Sequence, residues 1–581
     1  MSSTSSLIGG ALGALVAATT PSGAAEVRAW PPQGPLIGAL SADGAISSFR
    51  GIPYAAPPVG VRRWRHAEPA ADWTNPRLAT AFGPVCVQGA APQRTLLPDG
   101  SDQQTFFWEP DQLASEDCLY LNVWAPVRRP DAASEPLPVM VWIHGGGFVG
   151  GAGSGPLYDG EALARKGVVV VTINYRLGIF GFFAHPELSA ESPLSVSGNY
   201  ALSDQIEALS WVRRNIAAFG GDPQNVTVFG ESAGSWAISL LLASPRAHGL
   251  FHKAIGQSGA YFYSMPDLKA GRGGQPSAEA RGAAFAAAAT SRGTLGELRD
   301  LAATDLLAKA QALGAVDAGQ SVIVDGVFIT RPVRETFEAA AQRAVPVLVG
   351  YNADEGSGLS DYYLIPPQPA DGGAYTEEVR RRFGDLAERY LSLYPPGDIT
   401  ASLFDAYRDS EFGWRMQAWA EAAARAGARA YLYYFSHHPP GAEEERGVPT
   451  SLARRKAGAY HAAEIAYVFA NTARNPFTHA SPSPSDVALA ELMSDYWVAF
   501  ARSGDPNGAD RPSWAAYQPE DRRFMRFENG ATPGVDLHPG SLELHAEIDR
   551  RRDMAGMSWN GAQAGLAAAS EPDPGAGQVK P

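Results

Sequence analysis

Apolar positions along the chain follow two periods, and the two alternate. Residues 137–143 (LPVMVWI), 168–173 (VVVVTI), 226–229 (VTVF), 345–351 (VPVLVGY) and 429–435 (RAYLYYF) are short continuous apolar runs. Such runs, rich in β-branched and aromatic residues, are the pattern of strands covered on both faces. Between them the period lengthens. Residues 202–219 carry Ile206, Leu209, Val212 and Ile216 at helical spacing, and 278–315, 374–394, 401–426 and 485–503 also read as helical. Strands alternating with helices predict an α/β fold with a large, mostly parallel central sheet flanked by helices and right-handed crossovers. Ahead of this body, residues 27–73 predict short antiparallel strands. Within them 49–58 (FRGIPYAAPP) holds too many prolines for a central strand or a helix. Residues 117–124 and 253–256 predict further strands, while 84–115 and 439–459 read as loops. No repeat or linker divides residues 26–560, which are expected to form a single domain. The tail 561–581 lacks the apolar content to pack and is expected to be disordered.

Composition narrows the function classes. Of 581 residues, 45% are hydrophobic and 19% charged, so a sizeable core is available. A net charge of −14 argues against nucleic acid and anionic membrane surfaces as partners. Residues 7–18 (LIGGALGALVAA) are too short to span a bilayer; they fit the apolar core of a signal peptide with small residues at Ala24 and Ala25. No Lys or Arg precedes that run, and a disordered Ala/Gly leader over 1–25 is the alternative. With Cys86 and Cys118 alone, neither a disulfide scaffold nor a thiolate zinc site can form. They could close one loop, for about 3–4 kcal/mol in the chain-entropy account, or remain two buried thiols.

The chemistry gathers around residues 219–234, FGGDPQNVTVFGESAG. A strand pattern runs directly into Gly230-Glu231-Ser232-Ala233-Gly234, and a helical pattern follows. Glycines two residues either side of Ser232 suit a sharp strand-to-helix turn, where a Cβ would strike neighbouring backbone. Such a turn lifts the hydroxyl above the sheet and aims a helix N-terminus at it. A serine needs a base, and the base an orienting acid. The run His144-Gly145-Gly146-Gly147 ends another predicted strand, and its N–H groups, with that of Ala233, could converge on an oxyanion. For the acid, Asp354 and Glu355 both sit just past a buried strand. For the base, the order nucleophile, acid, histidine leaves His437, His438, His461, His479, His538 and His545; His461 follows a long loop and precedes an apolar helical stretch.

Together with residues 115–124 (SEDCLYLNVW), the Ser232 segment closely resembles the type B carboxylesterase and cholinesterase family of α/β-hydrolases, including para-nitrobenzyl esterase-like members. The likeness extends from about residue 27 to 527. It implies Ser232 as nucleophile, Glu355 as acid, His461 (in GAYHAAEIAYVF) as base, and Gly146, Gly147 and Ala233 as oxyanion donors. It also implies a Cys86–Cys118 disulfide, which favours export to a secreted or periplasmic location over the cytoplasm. Glu231 and Ser258 match positions that line or buttress the triad. The implied activity is a serine carboxylesterase acting through an acyl-enzyme on small ester substrates, without metal or cofactor.

Substrate choice is less legible. Trp108, ten residues before Cys118, resembles the tryptophan that stacks on choline in the cholinesterase branch, and Glu231 would add negative charge. The aromatic residue that branch places three positions after the acid is Gly358 here. The expectation is therefore a broad carboxylesterase for short or medium acyl or aryl esters. Choline esters are the alternative, and a non-catalytic binding module of the same fold is the remaining class.

Overall fold

The computed structural model describes residues 26–89, 112–127, 135–271, 275–314, 322–357, 369–442, 445–446, 455–474 and 481–554. The leader, Trp108, Gly358, His479 and the tail lie outside these.

Thirteen of the described strands form one sheet, and two small two-stranded sheets pair Val85–Cys86 with Ala114–Ser115 and Glu445–Arg446 with Arg455–Lys456. In chain order those of the large sheet are β1 (Glu26–Ala29), β2 (Leu36–Leu40), β3 (Ile46–Pro53), β4 (Arg77–Leu78), β5 (Tyr120–Pro126) and β6 (Leu137–Ile143). There follow β7 (Val169–Ile173), β8 (Gly221–Glu231), β9 (Lys253–Gln257), β10 (Val347–Asn352), β11 (Ala430–Phe435), β12 (Phe524–Phe527) and β13 (Ala531–Gly534). The spatial order is β1-β2-β3-β5-β7-β6-β8-β9-β10-β11-β12-β13, with β4 against β2. From β7 to β12 every neighbour is parallel. The β1–β5 end and the last pair are antiparallel apart from the short β2–β4 contact.

Burial explains the continuous apolar runs. Along β6, Val139, Val141 and Ile143 enter one core while Met140 and Trp142 enter the other, on the opposite face. A strand with two dry faces cannot afford alternation. The chain leaves β6 toward β7 on one side and returns to β8 on the other, so β6 and β8 flank a switch point. In open parallel sheets the crevice beyond the strand ends at such a point is where ligands bind.

The predicted helices break where backbone chemistry demands it. The Ala-rich stretch is three helices, Ala278–Ala289, Leu295–Asp300 and Ala303–Ala312. Ser277 and Thr294 cap the first two by accepting backbone N–H bonds. The 401–426 stretch is Ile399–Arg408 and Trp414–Arg425 joined by a π-helical turn, Asp409–Gly413. Residues 49–53 do belong to a strand, contrary to the proline-based expectation. Pro53 sits at its last position, and the register slips between Phe49 and Ile52, which accommodates it. Cys86 and Cys118 are joined in a disulfide.

Candidate active site

Ser232 stands between β8 and helix α1 (Ala233–Ala243), with φ 54° and ψ −121°. A positive φ at a non-glycine residue costs on the order of 1–3 kcal/mol and persists only where surroundings enforce it. Here they do. A Cβ on Gly234 would land on the Ile143 carbonyl oxygen, and one on Gly230 would lie 2.5 Å from that same atom. Ser232 N donates to Gln257 O at 2.8 Å, and Trp236 N donates to Ser232 O at 2.9 Å. The strand-end backbone thus holds the turn from both sides, and the positive end of the helix points at the serine.

The glycine run after β6 lies against this turn. A Cβ on Gly145 would sit 3.2 Å from the Ser232 Cβ and 2.8 Å from Glu231 Oε2. Gly146 and Gly147 have φ of 98° and 62°, and a Cβ on Gly146 would meet the Gly150 carbonyl. Ala233, the first residue of its helix, has an N–H without an intrahelical acceptor. His144 anchors the run. It stacks on Tyr175 at 4.3 Å, its Nδ1–H donates to Gly145 O at 2.8 Å, and Tyr175 OH donates to His144 O at 2.7 Å. Burial lowers its pKa to about 4, so it is neutral packing rather than a titrating group.

Of the two carboxylates left open by the sequence, Glu355 is the one brought to His461. His461 Nδ1–H donates to Glu355 Oε2 at 2.6 Å. Asp354 instead accepts from Ala459 N at 2.9 Å and lies 3.7 Å from His438. His437 is bonded to Asp486 at 2.7 Å, and His545 to Tyr394 at 2.8 Å, away from the serine turn. His538, half-buried, packs on Tyr434 at 5.2 Å. His461 Nε2 lies 3.0 Å from Glu231 Oε1, without an aligned hydrogen bond, and no hydrogen bond joins it to Ser232 among the described residues. Its ring packs on Phe412, carried by the π-helical turn, at 5.0 Å.

Sequence reasoning missed the support beneath His461. Glu464 accepts from Gln257 Nε2 at 3.0 Å and from Asn352 Nδ2 at 2.6 Å, while Asn352 N donates to Glu355 Oε1 at 2.8 Å. The signal was the spacing. Glu464 falls three residues after His461 where the chain begins to coil into helix α2 (Ile465–Val468), so both lie on one side. Ser258, matched only by resemblance, is buried with φ 53° at the end of β9 and donates its N–H to Gly350 O at 2.8 Å.

Three buried carboxylates thus surround one imidazole. Burial disfavours the His461 cation, but Glu231, then Glu355, then Glu464 outweigh it and raise its pKa to about 9. Burial pushes the Glu231 carboxyl up to about 8, with Glu464 and Glu355 adding to the rise and His461 opposing it. Among the described residues no group of three or more His, Cys, Asp or Glu is arranged to hold a metal ion. No described helix is long and apolar enough to cross a membrane.

Residues 31–544 match the profile described as "Carboxylesterase family". The chain belongs to that family. It is 38% identical over 509 residues to a fumonisin B1 esterase of Sphingopyxis macrogoltabida, covering 86% of each chain. To the para-nitrobenzyl esterase of Bacillus subtilis (strain 168) it is 35% identical over 506 residues, 84% of this chain and 93% of the relative. A solved PNB esterase structure superposes with a TM-score of 0.72 at 33% identity, over 89% of this chain and 99% of that one. The fold is that of the α/β-hydrolases, and this carboxylesterase-family chain is a carboxylic ester hydrolase.

The glycine contacts make a direct prediction. Gly234→Ala, a single added methyl, is expected to destabilise the fold by about 1–3 kcal/mol, as overpacking against rigid backbone does. It should also abolish most ester turnover. Denaturant midpoints and nitrophenyl ester hydrolysis on the same samples check both effects.

Proposed function

We propose that hydrolysis proceeds through an acyl-enzyme on Ser232, with His461 as base, Glu355 as its orienting acid, and Gly146, Gly147 and Ala233 as oxyanion donors. The 2.6 Å Glu355–His461 bond beside the strained serine turn carries this reading. With Nδ1–H given to Glu355, Nε2 is the nitrogen left to take a proton. The hydroxyl attacks the ester carbonyl carbon as its proton passes to Nε2. The oxyanion accepts from the three N–H groups, and collapse expels the alcohol, which takes the proton from His461. A water then repeats the sequence, leaving the carboxylic acid and free Ser232. Catalytic hydrogen bonds commonly tighten only with substrate present, which accounts for Nε2 facing Glu231 at rest.

The preferred substrates on this reading are neutral short or medium acyl or aryl esters. Relatives named for fumonisin B1 and for para-nitrobenzyl esters support a broad class. The Glu231 carboxylate, 3% exposed and turned toward His461, is poorly placed to meet a choline cation. Trp108, the other candidate for that cation, lies outside the described residues. We further propose export, since a Cys86–Cys118 bridge persists in oxidising compartments.

Ser232→Ala is expected to lower nitrophenyl ester turnover by at least about a thousandfold, with unchanged circular dichroism. Labelling by a fluorophosphonate should vanish in parallel; a labelled, active variant would remove Ser232 from its role. Because His461 must be neutral to accept the proton, kcat/KM should rise with pH along a limb above the ordinary imidazole value. Replacing the carboxyl that raises it most, Glu231→Gln, should move that limb to lower pH. A limb that stays fixed or moves upward contradicts the electrostatic account. Butyrylthiocholine should be turned over no faster than its neutral isostere, and a marked preference for the cation would favour a choline esterase.

A further inference from the structure

A second cavity, of about 190 Å³, is lined by Arg50, Phe82, Trp124, Ser154, Asp159 and Arg474. None of Ser232, Glu231, Glu355 or His461 lines it. Arg50 comes from the stretch of β3 where the register against β5 slips, and such irregularities re-aim a side chain. Its backbone is fixed there, Arg50 N donating to Ala79 O at 2.7 Å and Gly51 N to Asn122 Oδ1 at 2.9 Å. The guanidinium lies 4.9 Å from the Phe82 ring centre and 5.9 Å from that of Trp124.

What the two donors lack is an acceptor. Among the described residues no hydrogen bond or ion pair reaches the Arg50 guanidinium, and its Nε is buried. Trp124 is 1% exposed, and its Nε1–H has no partner either. Arg50 is half-buried, and a guanidinium without an acceptor there gains a charge-assisted hydrogen bond if one enters the cavity. The one carboxylate in the lining is already engaged. Asp159 pairs with Arg474 at 3.1 Å and accepts from Glu161 N at 2.9 Å. Two guanidiniums against one carboxylate leave the cavity cationic in a chain of net charge −14.

We propose that this cavity binds one small oxyanion, a carboxylate or a phosphate, seated between the guanidiniums of Arg50 and Arg474. Carboxylates are what ester hydrolysis releases; free phosphate is the other source of the same chemistry.

Isothermal titration of the full chain tests this, using acetate, benzoate and inorganic phosphate in turn. Prior fluorophosphonate treatment keeps carboxylates out of the Ser232 crevice. One saturable site is expected, and the anion bound most tightly identifies the source. Arg50→Gln should weaken binding by about tenfold or more. Arg50→Gln should leave nitrophenyl ester turnover unchanged. Arg474→Gln, at a half-exposed position, gives an independent reading if Arg50→Gln fails to fold. Absence of saturable binding for all three anions overturns the proposal. So does binding that survives both Arg50→Gln and Arg474→Gln.

Discussion

The Ile143 carbonyl oxygen, pressed by the backbone of Gly230 and Gly234, is the contact on which the site depends. It exists because β6 and β8 are parallel neighbours, so their carboxyl ends stop side by side. With no Cβ at those two glycines, the strand can turn sharply and start its helix at once. Ser232 is then left at φ 54°, half-buried beside the run that begins at His144. A looser turn would separate the hydroxyl from the glycine N–H groups, and preorganised donors act only where charge develops.

The second constraint is electrostatic. His461 sits among Glu231, Glu355 and Glu464, all nearly inaccessible to solvent. Three buried carboxylates would be prohibitive without compensation. Asn352 and Gln257 supply part of it, giving amide protons to Glu464 while the Asn352 backbone serves Glu355. The imidazole supplies the rest while it is protonated, and the upward shift of Glu231 relieves part of the charge. One histidine therefore stabilises the carboxylate cluster as a cation and, in the proposed mechanism, must lose that proton before it acts as base.

Neutral packing and charged chemistry are kept apart by burial. His144 has only a ring and a backbone carbonyl as neighbours and stays uncharged, which suits a residue that fixes the glycine run. Arg50 is the opposite case. A register slip in β3 carries a guanidinium over two aromatic rings, where no carboxylate among the described residues pairs with it.

Much of this was written in local pattern. The strands of the parallel core, the Ser232 turn and the glycine run are legible because each rests on contacts within a few residues or on burial of both faces, whereas the Cys86–Cys118 bridge, spanning 32 residues, followed only from the family resemblance. Helix breaks were less legible, since Ser277 and Thr294 act as caps that an Ala-rich period hides. The sequence by itself determined that a serine would stand at a strand-to-helix turn in a mostly parallel sheet. It left Asp354 and Glu355 equivalent, and six histidines open. The family resemblance pointed to Glu355 and His461, but the contact itself belongs to the tertiary structure, because whether a carboxylate meets an imidazole 106 residues away depends on how β10 and the loop before α2 converge. The same holds for Glu464 and for the unpaired Arg50: long-range packing sets the partners a buried charge finds, and no short-range period encodes it.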